Sequence, residues 1–403
     1  MRLTAILTIL LIFQSCSAIK VSKLRTGGSV KESSFMEEIP LRYVNNLIFI
    51  DILINGKTYN FLFDTGAELS VIGDHIKNEI DYASITSATV ETSSMISKRQ
   101  EFVELGDLTI GKVTFERTGA VIMDISHFNN YFGCRPIDGI LGNNLMRKAA
   151  WQVDYENKKI MLCDNSAKLN VSEDAVRINL DDADTRNVYL DMTIEGVSST
   201  FTFDTGYNGS IMSDSTMFNK LKAARSDLSY ISQEGVFTTD VNGKVLGETY
   251  KVLAEEIQME GGLDMSNQVV NLGGTSSSLL GNKVFDDYLL TLDWSNNTLF
   301  LDKQKDPTVN EVSYFEFHFS PNFQTLKMEI VNIVNEEFST TAVSLNTEIL
   351  AINGVDVSNF SLDELCTYWD EEGAKLRLLD KINMLVLDKG EKREIQLNKR
   401  FIK

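Results

Sequence analysis

The chain repeats itself over a long interval. Leu47 to Gly56, followed by Phe61-Leu62-Phe63-Asp64-Thr65-Gly66-Ala67, is matched by Val188 to Gly196, followed by Phe201-Thr202-Phe203-Asp204-Thr205-Gly206-Tyr207. Each copy is an apolar β-rich run, a Gly turn, a second β run and then Asp-Thr-Gly. Downstream, Ile140-Leu141-Gly142-Asn143 corresponds to Leu279-Leu280-Gly281-Asn282, and Trp151-Gln152-Val153-Asp154 to Leu290-Thr291-Leu292-Asp293. Asp204 follows Asp64 by 140 residues, Gly281 follows Gly142 by 139, and Asp293 follows Asp154 by 139. A lone Asp-Thr-Gly carries little information, but two copies in matched surroundings at one spacing carry much. The interval is far longer than a solenoid unit, so it implies a duplicated domain with an approximate twofold relation.

Both copies read as β lobes, with alternating or continuous β-branched runs bounded by Gly, Asn and Asp. With only four prolines in 403 residues, the turns rest on Gly and Asn. Asn242-Gly243 is a hairpin signal in the second copy. The expected fold is mainly β: two lobes related by a pseudo-twofold, then a small α+β unit.

The Asp-Thr-Gly pair points to specific chemistry. An apolar strand ending at Asp brings a carboxylate out at the rim of a packed core. Gly two residues on permits a turn that a side chain would hinder. Thr adds a stiff β-branched side chain and a hydroxyl. Under the twofold, two such loops meet and bring Asp64 and Asp204 together. Like charges that close share a proton, so one carboxylate can deprotonate a water while its protonated partner hydrogen-bonds a carbonyl. The competing role for each Asp is a turn aspartate capping its own loop. An aspartyl-phosphate enzyme is disfavoured because the long helices of a parallel α/β sheet are missing.

On Phe61-Leu62-Phe63-Asp64-Thr65-Gly66-Ala67 and Pro136-Ile137-Asp138-Gly139-Ile140-Leu141-Gly142-Asn143, the chain resembles the aspartic proteases of the retropepsin and pepsin clan, over roughly residues 38–305. The resemblance implies an aspartic endopeptidase with Asp64 and Asp204 as the catalytic pair, Thr65 and Thr205 interlocking their loops, Gly66 and Gly206 in those loops, and Gly142 and Gly281 packed behind them. It implies a peptide or protein substrate, no cofactor and no metal. It also implies a monomer, since one chain carries both carboxylates. Ala67 follows the family's small residue after Asp-Thr-Gly, whereas Tyr207 departs from it, and a ring there is expected beside the shared proton. By position, the substrate-covering hairpin tips fall near Ser93–Lys98 and Asp240–Lys244. The second reading of the same residues is a catalytically inactive peptide-binding envelope lipoprotein that keeps the fold.

After Asp306-Pro307 the repeat stops. Glu348-Ile349-Leu350-Ala351-Ile352-Asn353-Gly354 predicts a strand and tight turn, and Ser361-Leu362-Asp363-Glu364 a capping box opening a helix to about Glu371. Strands are expected around Lys375–Leu379, Met384–Leu387 and Glu394–Leu397. Residues 312–403 resemble a PDZ domain, which implies binding of a peptide ligand by strand addition, with a packing or spacer domain that takes no ligand as the alternative. Phe315-Glu316-Phe317 is the expected place of its carboxylate-binding loop.

The first 18 residues differ in character: Arg2, an apolar run Leu3 to Phe13, then Gln14-Ser15-Cys16-Ser17-Ala18. That pattern predicts an export signal. It also resembles a bacterial lipoprotein signal, which implies lipidation of Cys16 and an exported, envelope-bound protein touching membrane only through that lipid. The expected division is signal peptide 1–18, flexible tether 19–37, first lobe 38–165, second lobe 166–305 and C-terminal unit 312–403. A net charge of −19 without a Lys/Arg block argues against a nucleic-acid partner. Cys134, Cys163 and Cys366 remain after Cys16. Cys134 and Cys163 are a candidate pair, with buried free thiols as the alternative. His75, His127 and His318 show no metal-ligand spacing.

Overall fold

The computed structural model describes residues 17–91, 96–180, 187–240, 243–274, 277–305, 313–335 and 343–402. Residues 1–16, with Cys16, lie outside them. So do 92–95 and 241–242, at the two hairpin tips expected to cover the substrate.

Each copy of the repeat opens with a hairpin. Leu47–Ile54 pairs with Lys57–Phe63, and Val188–Ile194 pairs with Val197–Asp204. The turns are built alike. Asn55 and Gly56 have φ of 51° and 78°, and Glu195 and Gly196 have 47° and 78°. Two successive left-handed residues are what a tight hairpin loop matching the strand twist needs. The copies continue in parallel. Gly139–Leu141 lies parallel to Phe61–Phe63, and Leu279–Gly281 parallel to Thr202–Asp204. Ser70–Gly73 and Ile211–Asp214 close the other side of these short strands. Each lobe also has a long hairpin, Tyr82–Glu91 with Ser97–Leu105 and Tyr230–Asp240 with Gly243–Ala254.

A six-stranded sheet joins the lobes through Ala150–Asp154 and Tyr288–Asp293. In it Gln152 faces Thr291, its own counterpart in the repeat, and donates Nε2 to Thr291 Oγ1 at 2.9 Å. The pseudo-twofold axis therefore passes between these two residues. Asp154 and Asp293 act alike on either side: each accepts from a backbone N–H and a side-chain amide three residues on, from Asn157 and Asn296 respectively. The chain is mainly β and two-lobed. Phe63, Phe115 and Trp151 fill the first lobe and Phe201, Phe203 and Phe285 the second, all fully buried. Each such ring is worth roughly 2–3 kcal/mol of apolar burial.

The C-terminal unit has its own core, with Phe317, Ile330, Ile349, Leu365 and Val386 at its centre. The turn at Asn353 (φ 50°) and Gly354 (φ 84°) joins Glu348–Ile352 to Val355–Asp356. Ser361 and Glu364 form a reciprocal capping box, and the helix runs Leu362–Leu378. The strand expected around Lys375–Leu379 is thus the last helical turn. Its alternating Lys-Leu-Arg-Leu mimics strand periodicity, but only Leu376 of it is buried, on the helix face shared with Leu365 and Gly373. Phe315, Glu316 and Phe317 are all buried, and Glu316 pairs with Arg400. That segment is packed interior, not the open carboxylate-binding loop expected there.

This unit is fastened to both lobes. Lys327–Val334 pairs with the second lobe's long hairpin, Gln233–Gly235 opposite Asn332–Val334. At that junction a Cβ on Gly235 would lie 2.2 Å from Val331 O, so only Gly allows the strands this close. Toward the first lobe, Cys134 is bonded to Cys366 of the helix, and Arg135 pairs with Asp370 at 2.7 Å. Cys134 therefore does not pair with Cys163, which is a buried free thiol. Sequence proximity pointed the wrong way because the helix lies across the loop that carries Cys134.

The stretch expected to be a flexible tether is ordered. Residues 17–26 are helical, and Ser29–Val30 and Met36–Pro40 are strands. Val21 and Leu24, three apart and so on one helix face, are buried in the first lobe's second apolar cluster with Phe102, Val121 and Ile140.

Candidate active site

Asp64 and Asp204 stand at the ends of matched strands, Lys57–Phe63 and Val197–Asp204. Each carboxylate is held by its own loop. Asp64 Oδ1 accepts from Gly66 N at 2.8 Å and Ala67 N at 3.1 Å, and Asp204 Oδ1 accepts from Gly206 N at 2.8 Å. The two carboxyls also interact directly with each other. Their closeness depends on the glycines opposite. A Cβ on Gly66 would lie 2.5 Å from Asp204 Cγ, and one on Gly206 2.5 Å from Asp64 Cγ. Each carboxyl occupies space that the other loop leaves by lacking a side chain.

The threonines lock the loops together. Thr65 Oγ1 donates to Phe203 O at 2.8 Å and accepts from Thr205 N at 3.0 Å. Thr205 Oγ1 donates to Phe63 O at 2.8 Å and accepts from Thr65 N at 3.0 Å. Both threonines are fully buried. Behind them, Asn143 Nδ2 donates to Thr65 O and Asn282 Nδ2 to Thr205 O, each at 2.6 Å. Sequence reasoning singled out Gly142 and Gly281 but missed these asparagines, although each directly follows its glycine in both copies. The glycines sit against the loop backbones: a Cβ on Gly142 would meet Ala67 O at 2.8 Å, and one on Gly281 would meet Gly209 O at 2.3 Å.

Tyr207 breaks the symmetry in a limited way. Its backbone N–H serves Asp204, as that of Ala67 serves Asp64. Its ring lies over Gly209 and Gly281, where missing Cβ atoms leave it room.

Burial raises both carboxyls above the ordinary range. For Asp64 burial is the largest cause, opposed by hydrogen bonds from Asp204 and from the N–H groups of Gly66, Ala67 and Gly206. Asp204 is raised further, by burial first, then by the charge of Asp64 and the hydrogen bond to it. The pair titrates as a unit that keeps one proton, favouring Asp204, well into the range where an isolated carboxyl is ionised.

The pair lies in a cleft of about 1260 Å³ between the lobes. The first-lobe wall is apolar, with Leu69, Val71, Phe102 and Met123. Ser17, Ala18, Val21, Ser22 and Arg25 of the N-terminal helix also line the cleft. Arg25 pairs with Glu68 at 3.0 Å, and Lys20 Nζ donates to Ile85 O of the long hairpin at 3.1 Å. The sequence gives no direct sign of this placement. Cys16, the remaining predicted site residue, lies outside the described residues.

Residues 50–145 match the family model described as aspartyl protease. The matched segment runs from the first hairpin through Asp64-Thr65-Gly66 to Leu145, so it holds one of the two paired carboxyls, and Asp204 lies beyond it. The likeness supports a protease-type hydrolase in general terms. No curated protein matches the chain.

Proposed function

We propose that this protein is an aspartic endopeptidase. The observation that carries the reading is the pair of half-buried carboxyls facing each other at the cleft floor, each fixed by loop amides, on loops locked by reciprocal threonine bonds. Asp64, the less raised of the two, is the base. It takes a proton from a water bound between the carboxyls as that water's oxygen adds to the scissile carbonyl carbon. Asp204 donates its proton to the carbonyl oxygen, giving a neutral gem-diol. The diol then collapses: the C–N bond breaks, the amine nitrogen takes the proton from Asp64, and Asp204 recovers one from the diol hydroxyl. Burial strengthens both hydrogen bonds to the reacting oxygens.

The C-terminal unit is read as a PDZ-like accessory module. Among the described residues, Phe317–Asn322 pairs only with Lys327–Val334, which leaves an edge for an added peptide strand. Export and lipid anchoring through Cys16 complete the proposal, supported by the apolar run after Arg2. A diacylglyceryl group on Cys16 in the mass of the mature N-terminus is the expected result.

The decisive experiment is cleavage of a peptide library between pH 4 and 7 by wild type, Asp64→Asn and Asp204→Asn. Endoproteolysis that disappears in both variants supports the proposal. Cleavage that survives in either, or peptide binding without cleavage in wild type, overturns it.

A further inference from the structure

Beside the main cleft lies a smaller cavity of about 340 Å³. Gly206, Tyr207, Thr238 and Thr239 belong to the walls of both, so the two adjoin along the loop that follows Asp204. Three parts of the chain meet around the small cavity: Phe128 and Phe132 from the first lobe, Gln233 and Lys251 from the second, His318 and Asn332 from the C-terminal unit.

Its polar groups are incompletely matched. Lys251 Nζ lies 3.1 Å from His318 Nε2. An ammonium has only donors, so the histidine nitrogen accepts and the ring is neutral. The charge of Lys251, then burial and the charge of Arg377, hold His318 well below its ordinary range. Desolvation pushes Lys251 down to about 8, with no carboxylate countering it. Among the described residues no Asp or Glu lines the cavity, in a chain with 57 acidic and 38 basic residues. A desolvated ammonium is normally paired with an anion. A second group is unmatched as well. Gln233 is 6% exposed, and its Oε1 has no donor among the described residues. The cavity thus offers a cation wanting an anion and a buried acceptor wanting an N–H. A peptide carboxylate with a neighbouring amide supplies both.

We propose that this side cavity, with Lys251 at its charged end, is a subsite that takes a carboxylate of the peptide in the main cleft, and that the C-terminal unit completes it through His318 and Asn332. The inference rests on reading the cleft as a peptide-hydrolysing site. The carboxylate is a Glu or Asp side chain or the peptide's free terminus, which share this chemistry.

The test is binding of octapeptides to the Asp64→Asn variant, followed by fluorescence anisotropy. One set exchanges Glu for Gln position by position, and a second compares free with amidated C-termini. With Lys251 intact, one carboxylate peptide should bind about tenfold or more tighter than its neutral isostere, as expected for a charge-assisted hydrogen bond in a desolvated site. A preference at one Glu position identifies a side chain, and a preference for the free terminus identifies the terminal carboxylate. Adding Lys251→Met should bring the ratio to within about twofold, and Lys251→Arg should keep part of it. Peptides that bind with no carboxylate preference overturn the proposal, as does a preference that survives Lys251→Met. Should Lys251→Met not fold, the Glu/Gln comparison and Lys251→Arg still decide. Cleavage of the same peptides by wild type separates the two readings. Cleavage without preference removes only the subsite. Preference without cleavage removes the hydrolytic reading and leaves the site. No binding of any peptide removes both.

Discussion

Thr65 and Thr205 each donate a hydroxyl to the other lobe's backbone and accept an amide from it, so four hydrogen bonds of 2.8–3.0 Å cross the pseudo-twofold axis beneath the carboxyls. The distance between Asp64 and Asp204 is thereby set by buried groups, not by the walls of the cleft. Thr65→Val should leave Thr205 N and Phe203 O without partners in a dry site. At about 1–3 kcal/mol for each of the two buried unsatisfied groups, the loss is roughly 2–6 kcal/mol in urea unfolding. Thr65→Ser keeps the hydroxyl and should cost about 1 kcal/mol.

The carboxyl pair makes both stability and activity depend on pH. Both pKa values are raised on folding, so the folded state binds protons more tightly than the unfolded chain. The associated stability is present in full below the ordinary carboxyl range and is lost as pH rises through the raised values. Asp204→Asn removes that loss. Its melting temperature should exceed that of wild type near neutral pH and converge with it near pH 3. Peptide cleavage should follow a bell, its acid limb set by ionisation of Asp64 above the usual carboxyl range and its alkaline limb by Asp204, which is raised further. A melting difference that does not change with pH would contradict the assignment.

Cys134 and Cys366 join the first lobe to the C-terminal helix across a separation of 232 residues. In non-reducing denaturant, protein lacking residues 1–16 should react with one equivalent of thiol reagent, at Cys163. Non-reducing peptide mapping should recover a Cys134–Cys366 peptide. Cys366→Ser should lower stability by about 2–4 kcal/mol, the usual range for a long loop. It should also speed amide exchange around Arg135 and along 362–378. Recovery of a Cys134–Cys163 peptide would refute the pairing.

The helix over residues 17–26 places Val21 and Leu24 against the apolar wall of the cleft. Val21→Asp puts a charge into that cluster and should unseat the helix. If the helix stands in the substrate's path, kcat/KM for library peptides should rise roughly tenfold, as the competent fraction of molecules grows. Limited proteolysis near Lys23 and Arg25 should accelerate in parallel. Faster proteolysis with an unchanged kcat/KM would show that the helix merely lines the cleft.

The meeting of Asp64 with Asp204 was readable from the chain because two copies of one local pattern demand the same local structure. An apolar strand, a Gly turn and Asp-Thr-Gly make the same hairpin and loop wherever they occur, and the common spacing carries the twofold. The capping box at Ser361 and the turn at Asn353-Gly354 were readable for the same reason, since their hydrogen bonds close within a few residues. Lys375 to Leu379 misled, because a short alternating run fits a strand and the end of a half-buried helix equally well. Asn143 and Asn282 escaped notice although their signal was present in both copies: an amide's partner is not specified by its neighbours in sequence.

What the sequence determined by itself was therefore local and duplicated: two β lobes, two carboxylates, and glycines where the backbone must pass closely. Tertiary structure alone decided which distant groups meet. It brought Cys134 to Cys366, Lys251 to His318, and the N-terminal helix to the cleft wall. Short-range hydrogen bonding and hydrophobic periodicity are written in neighbouring residues, whereas these contacts depend on how finished lobes pack, and no single segment carries that information.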